Sequence, residues 1–239
     1  MYHGERFNAW THLVGVLFAL TGATWLIVYA SLYTDAQAIT SVCIYGAAMV
    51  LLYAVSTLYH SVRGRAKRIL QKCDHLSIYL MIAGSYTPFC LISLRAPWGW
   101  SLFGVVWGLA LIGIVQELWQ RSETRLLSLV IYAVMGWAVI VATGPLIQAL
   151  GSTGFAWLAA GGLFYTAGIG FFVFDHVRHF HGIWHLFVIA GSLMHYIAII
   201  GYVLPAAAAA ASGQASAGGF HRFLADQLRH VLVGALLIA

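Results

Sequence analysis

Apolar residues run along this chain in long unbroken blocks, without the alternation of a half-buried strand or the one-sided stripe of a soluble helix. Seven blocks cover roughly residues 11–33, 39–60, 74–94, 98–117, 126–148, 155–174 and 183–204. Each is close to the ~20 residues an α-helix needs to cross the hydrocarbon of a bilayer. Gly, Ala, Ser and Thr are frequent inside them, which lets helices approach closely in lipid. Trp10, Trp98, Trp100, Trp119 and Trp184 fall near block ends, as in an interfacial aromatic belt. The pattern predicts an all-α fold, a seven-transmembrane-helix bundle over residues 1–204. A soluble bundle would need amphipathic periodicity and many more charges.

Composition strengthens that reading. The 239 residues are 62% hydrophobic and 8% charged, against about 25% charged in an average soluble domain. The first block lacks a small-residue cleavage site before a polar domain, so it reads as a retained helix and not a signal peptide. The net charge of +5 comes from residues in the connections, which argues for membrane orientation and against a nucleic-acid partner. Arg6, Arg63, Arg65, Lys67, Arg68, Lys72, Arg121, Arg125 and Arg178 fall on one side of a seven-helix arrangement; Arg95, Arg222 and Arg229 fall on the other. The positive-inside rule then puts the N-terminus in the cytoplasm and the C-terminus outside. Cys43, Cys73 and Cys90 are scattered and suggest no disulfide framework. Residues 205–239 form a separate tail: an Ala/Gly/Ser-rich linker from Ala206 to Gly219, then Phe220 to Ala239, an interfacial helix or a disordered end. No block carries the polar run that would line a water-filled pore.

The chemistry gathers in Ser56-x-x-x-His60, Asp74 and His181-x-x-x-His185. Ionisable residues at the rim of a membrane span are costly, so they point to a functional site. An i, i+4 His pair lies on one helix face, where both imidazoles can share a metal ion. A third His from another helix completes the three-His set of a catalytic zinc, with the fourth position left open. The predicted topology places His60 at the cytoplasmic end of the second helix, Asp74 in the first turn of the third, and His181 and His185 at the start of the seventh. All of them converge at one membrane depth.

Four ordered blocks carry a family resemblance: Glu5-Arg-Phe-Asn8-Ala-Trp-Thr-His12; Ser56-Thr-Leu-Tyr-His60-Ser61; Asp74-His-Leu-Ser followed by Ala83-Gly-Ser-Tyr-Thr-Pro88; and His181-Gly-Ile-Trp-His185-Leu-Phe. Together, over about residues 3–204, the chain resembles the bacterial hemolysin III branch of the progestin and adipoQ receptor family. The resemblance implies seven helices with a cytoplasmic N-terminus in the bacterial plasma (inner) membrane. It also implies Zn2+ held by His60, His181 and His185, with Asp74 and Ser56 beside the metal water. The wider superfamily includes alkaline ceramidases, which implies hydrolysis of lipid amides or esters with membrane lipids as substrate. The alternative is a non-enzymatic membrane-homeostasis regulator or receptor-like protein, haemolytic on insertion, whose zinc is structural.

Residue chemistry fills in the roles. Three neutral imidazoles on zinc lower the pKa of a bound water toward ~7. Asp74 is placed to orient that water or accept its proton, and Ser56, one turn before His60, to hydrogen-bond it. Glu5, Asn8 and His12 share a face that would support the ligands from behind. His195, roughly 15 Å deeper along the seventh helix, is expected to bond a neighbouring helix instead. His75, His176 and His179 are expected at solvated loops, and Pro88 and Pro145 at kinks.

Overall fold

The computed structural model describes residues 4–94, 97–119 and 126–213, and all elements among them are helical. Helix α1 covers Arg6–Tyr33, α2 Ala36–Ser61, α3 Gly64–Pro88, α4 Trp98–Trp119, α5 Leu126–Trp137, α6 Thr143–Val173, α7 Phe180–Ala198 and α8 Leu204–Ala211. Wider π-helical stretches, Phe89–Ser93 and Ile199–Val203, prolong α3 and α7, and a 3-10 stretch, Ala138–Ala142, joins α5 to α6. The first stretch follows Pro88, which has no N–H to continue the α-helical ladder. Arg95, Arg121, Arg125, Arg222 and Arg229, and the tail beyond residue 213, lie outside the described residues.

Among the described residues, six helical runs are long and apolar enough to cross a membrane. The expected fifth and sixth spans form one continuous run, Leu126–Val173, 48 residues long. One residue interrupts its α6 portion: Gly151, at φ 70 and ψ 168, a backbone that glycine adopts without a Cβ clash.

Several expectations about element ends change. Helix α3 begins at Gly64, so the basic stretch predicted as a connection is helical, and Asp74 sits roughly three turns inside it instead of in its first turn. Residues 65–72 contain no breaker, and Arg, Lys, Ala, Leu and Gln are strong helix formers. Ala206–Ala211, read as linker, belongs to α8, since alanine has the highest helix propensity. Trp184 packs against Phe172, with ring centroids 5.5 Å apart, in a notch left by Gly168.

The molecule is apolar outside and partly polar within. Leu17, Leu32, Leu58, Leu111, Ile112 and Val141 project outward, while Tyr45, Tyr53 and Tyr79 are fully buried. The Tyr53 hydroxyl donates to Ser192 Oγ at 2.7 Å, and Tyr165 shares the same hydroxyl at 2.8 Å, tying α2, α6 and α7 together. Close approach depends on small residues: Gly46 on α2 abuts Ala23 on α1, and Gly84 on α3 abuts Ala48 on α2. A second polar clamp joins α3, α4 and α5. His75 Nδ1 donates to Glu117 at 2.8 Å, and Ser128 donates to the other oxygen of that carboxylate at 2.8 Å. His75 is therefore inside the bundle, only 12% exposed, and not the solvated loop residue its position suggested. The partner that draws it in, Glu117, is distant in sequence.

Candidate metal centre

The last turn of α2 and the first turns of α7 meet at one end of the bundle. His60 comes from α2; His181 and His185 come from one face of α7, four residues apart. One ring nitrogen from each lies within 4.8 Å of the others, an arrangement able to hold a metal ion. The ring centroids are 5.0 Å apart for His60 and His181, 5.0 Å for His60 and His185, and 4.8 Å for His181 and His185.

Hydrogen bonds select the coordinating nitrogens. His60 Nδ1–H donates to Glu5 Oε2 at 2.7 Å, and its Nε2 is buried with no hydrogen-bond partner. His185 Nδ1–H lies 3.1 Å from the Asn8 carbonyl and 3.0 Å from Thr11 Oγ1, whose own proton goes to the Asn8 carbonyl. Both rings are thus fixed in the tautomer that leaves Nε2 as a bare lone pair. Metal-binding histidines are commonly oriented by a carboxylate or carbonyl on the far nitrogen. A buried acceptor without a donor is costly, and a cation shared with His181 would satisfy it. The donor set fits a metal.

The start of α1 supplies this backing. Gly182 of α7 has no side chain, which lets Phe7 and Asn8 of α1 lie directly on it. Glu5 also accepts from Lys67 of α3 and, at 2.8 Å, from Asn8 Nδ2. Burial pushes the Glu5 carboxyl up, but hydrogen bonds from His60, Lys67 and Asn8 outweigh it and hold the group well below the ordinary value of 4.5. It stays ionised and keeps accepting from His60. His12 acts differently from Glu5 and Asn8. It stacks on His185 at a centroid distance of 3.6 Å, edge-on to Tyr53, and neither of its buried nitrogens has a hydrogen-bond partner.

Asp74 of α3 and Ser56 of α2 line the same cavity as His12, His181 and His185, and Ser56 Oγ is buried without a partner. That cavity, about 220 Å³, runs from these polar groups into apolar walls that include Ile78, Ile140, Leu146, Phe155 and Val188. Thr11 and Lys67 were not singled out from the sequence. Thr11 lies three residues after Asn8 on the same helical face, a signal that was available; Lys67 reaches Glu5 only because α3 starts early.

A family model described as haemolysin-III related matches residues 1–196. The chain is 41% identical over 204 residues to a hemolysin-3 of Bacillus cereus, covering 85% of this chain and 93% of that protein. It is 29% identical over 204 residues to the human monocyte to macrophage differentiation factor, covering 82% and 83%. More distantly, it is 24% identical over 223 residues to progestin and adipoQ receptor-like protein 1 of Caenorhabditis elegans, covering 82% and 51%.

Proposed function

This multi-pass membrane chain belongs to the haemolysin-III-related family, and from that premise we propose that it is an intramembrane zinc hydrolase of lipid amides or esters. The observation that carries this reading is a three-His cluster of which His181 and His185 line an apolar cavity whose wall also holds Asp74 and Ser56. Three histidines are the ligand set of a catalytic zinc, which supplies Lewis acidity and brings a water's pKa toward ~7. The rest of the mechanism belongs to the chain. Glu5 and the Asn8 carbonyl hold His60 and His185 in the ligating tautomer. The apolar cavity takes the acyl chain and excludes bulk water. Asp74 accepts the proton of the attacking water as its oxygen adds to the carbonyl carbon. It then returns that proton to the leaving amine nitrogen or alcohol oxygen as the bond to carbon breaks. Ser56 Oγ donates a hydrogen bond to the oxygen developing charge.

The bilayer arrangement is part of the proposal. A run of 48 residues would be roughly 70 Å long as one straight helix, against ~30 Å of hydrocarbon. Two crossings that turn near Gly151 are the economical reading, giving seven in all. With the cationic residues counted by connection, the N-terminus is cytoplasmic and the His cluster lies near the inner face of the bacterial plasma membrane.

A second reading has its own support. His60 and His181 belong to different helices, and Glu5 and Lys67 draw α1 and α3 into the same cluster. A metal there would pin four helices, the role expected in a non-enzymatic regulator. Turnover of a short-chain ceramide analogue, zinc content and melting temperature, measured together, separate the two. Asp74→Asn should keep zinc and lose about 10²–10⁴-fold in rate, while His181→Ala should lose the metal. Absence of zinc-dependent turnover of any amide or ester lipid in the wild type would leave the regulator reading.

A further inference from the structure

The start of α3 carries a basic face that the metal centre does not use. Arg65, Arg68 and Lys72 are exposed, and at 3.6 residues per turn they share with Ile69 and Leu76 an arc of roughly 100°. Lys67 and Asp74 fall on the opposite side, where Lys67 donates to Glu5 and Asp74 lines the cavity. Among the described residues, none of the three outward cations has an ion-pair or hydrogen-bond partner. Ile69, next to Arg68, is 57% exposed, and Leu76 continues the same face into the apolar block that begins at residue 74. At 1.5 Å per residue, Lys72 stands about 3 Å and Arg68 about 9 Å outside that boundary along the helix axis. The headgroup layer on each side of the hydrocarbon is roughly 5–8 Å deep, so these cations stand at about the depth of lipid phosphates.

We propose that this face docks anionic glycerophospholipids, its cations on the headgroup phosphates and Ile69 and Leu76 against the upper part of the acyl chains. Unpaired positive charge sets the sign of the partner, and the apolar residues set its kind. A dissolved anion brings no hydrocarbon to cover Ile69 and Leu76, whereas a phospholipid carries its phosphate directly above methylenes. Clusters of Lys and Arg beside a membrane span attract an anionic leaflet by the same physics. The proposal needs only that α3 emerges from the bilayer near residue 74; it holds whether or not the metal centre turns lipid over.

The test titrates the full chain, in a neutral detergent, with dioctanoyl phosphatidylglycerol and separately with dioctanoyl phosphatidylcholine, and counts bound lipid by native mass spectrometry. The wild type should prefer phosphatidylglycerol, and raising the salt tenfold should shrink that preference. Arg68→Gln with Lys72→Gln should weaken phosphatidylglycerol about 25-fold, at roughly fivefold per cation, and leave phosphatidylcholine unchanged. Arg6→Gln with Arg178→Gln removes the same charge from exposed positions elsewhere and should cost about twofold or less. Melting temperatures without lipid check that both variants fold, and the salt series on the wild type needs no variant at all. Equal affinity for the two lipids, or a preference that salt leaves unchanged, overturns the proposal. Equal losses in the two double variants mean that net charge and not this face holds the lipid, which overturns it too. Displacement of phosphatidylglycerol by sn-glycerol 3-phosphate at equal concentration would make the face a site for soluble anions, and the lipid proposal would fall.

Discussion

Glu5 is the residue on which the centre leans most. Its carboxylate fixes His60, receives Lys67 and sits at the start of α1, where negative charge is favoured by the helix dipole. Glu5→Gln keeps the size and loses the charge, and should lower metal affinity about 10–100-fold, read by competition with a chromophoric chelator. Because the Glu5 carboxyl is held below its ordinary 4.5 when folded, the stability it adds is complete above that pH and drains away as pH falls below it. Metal-free wild type should therefore lose melting temperature faster than metal-free Glu5→Gln on acidification below about pH 4.5. Parallel curves would refute that role. His60, His181, His185, Asp74 and Ser56 were legible because helical spacing and costly polarity mark them locally. His75 and Lys67 were not, because their partners, Glu117 and Glu5, lie far along the chain.

At the scale of elements, contact depends on which glycines are crowded. A Cβ at Gly46 would come within 2.7 Å of the Ala23 Cβ, whereas at Gly108 it would meet nothing within 4 Å. Gly46→Val should push α1 from α2 and cost about 1–3 kcal/mol. Gly108→Ala should be neutral or stabilise by up to about 1 kcal/mol through helix propensity. Melting temperatures in one detergent decide it, and equal effects would mean that α1 and α2 are not held at this distance. Composition alone made both residues look alike, as permissive small positions in an apolar helix. Block boundaries were similarly blind to Gly64, because the third apolar block begins at residue 74 while its helix begins at Gly64, ahead of the basic stretch.

At the scale of the whole molecule, a metal in the three-His cluster ties α2 to α7, and through Glu5 to α1 and α3. Anything bound only by the folded state stabilises it in proportion to the logarithm of its concentration over Kd. Removing the ion with a strong chelator should lower the melting temperature, and restoring zinc should bring it back. An unchanged melt after measured depletion would show that the helices hold without it.

The number of crossings is a separate question, since hydropathy reads seven blocks where helix continuity reads six runs. Both describe the same residues; they differ over Gly151, whose left-handed backbone leaves no trace in a hydropathy profile. Ser152 is exposed next to that break and tolerates substitution without the strain that Gly151 would suffer. In intact cells carrying a variant with Cys43, Cys73 and Cys90 replaced, Ser152→Cys should react with a membrane-impermeant maleimide from outside. A cysteine at Arg65, at the basic start of α3, should react only after the membrane is opened. The reverse pattern would invert the orientation and move the His cluster to the outer face. Protection of Ser152→Cys in both states would mean that residues 126–173 do not turn at a membrane surface near Gly151, and the seven-crossing arrangement would fall.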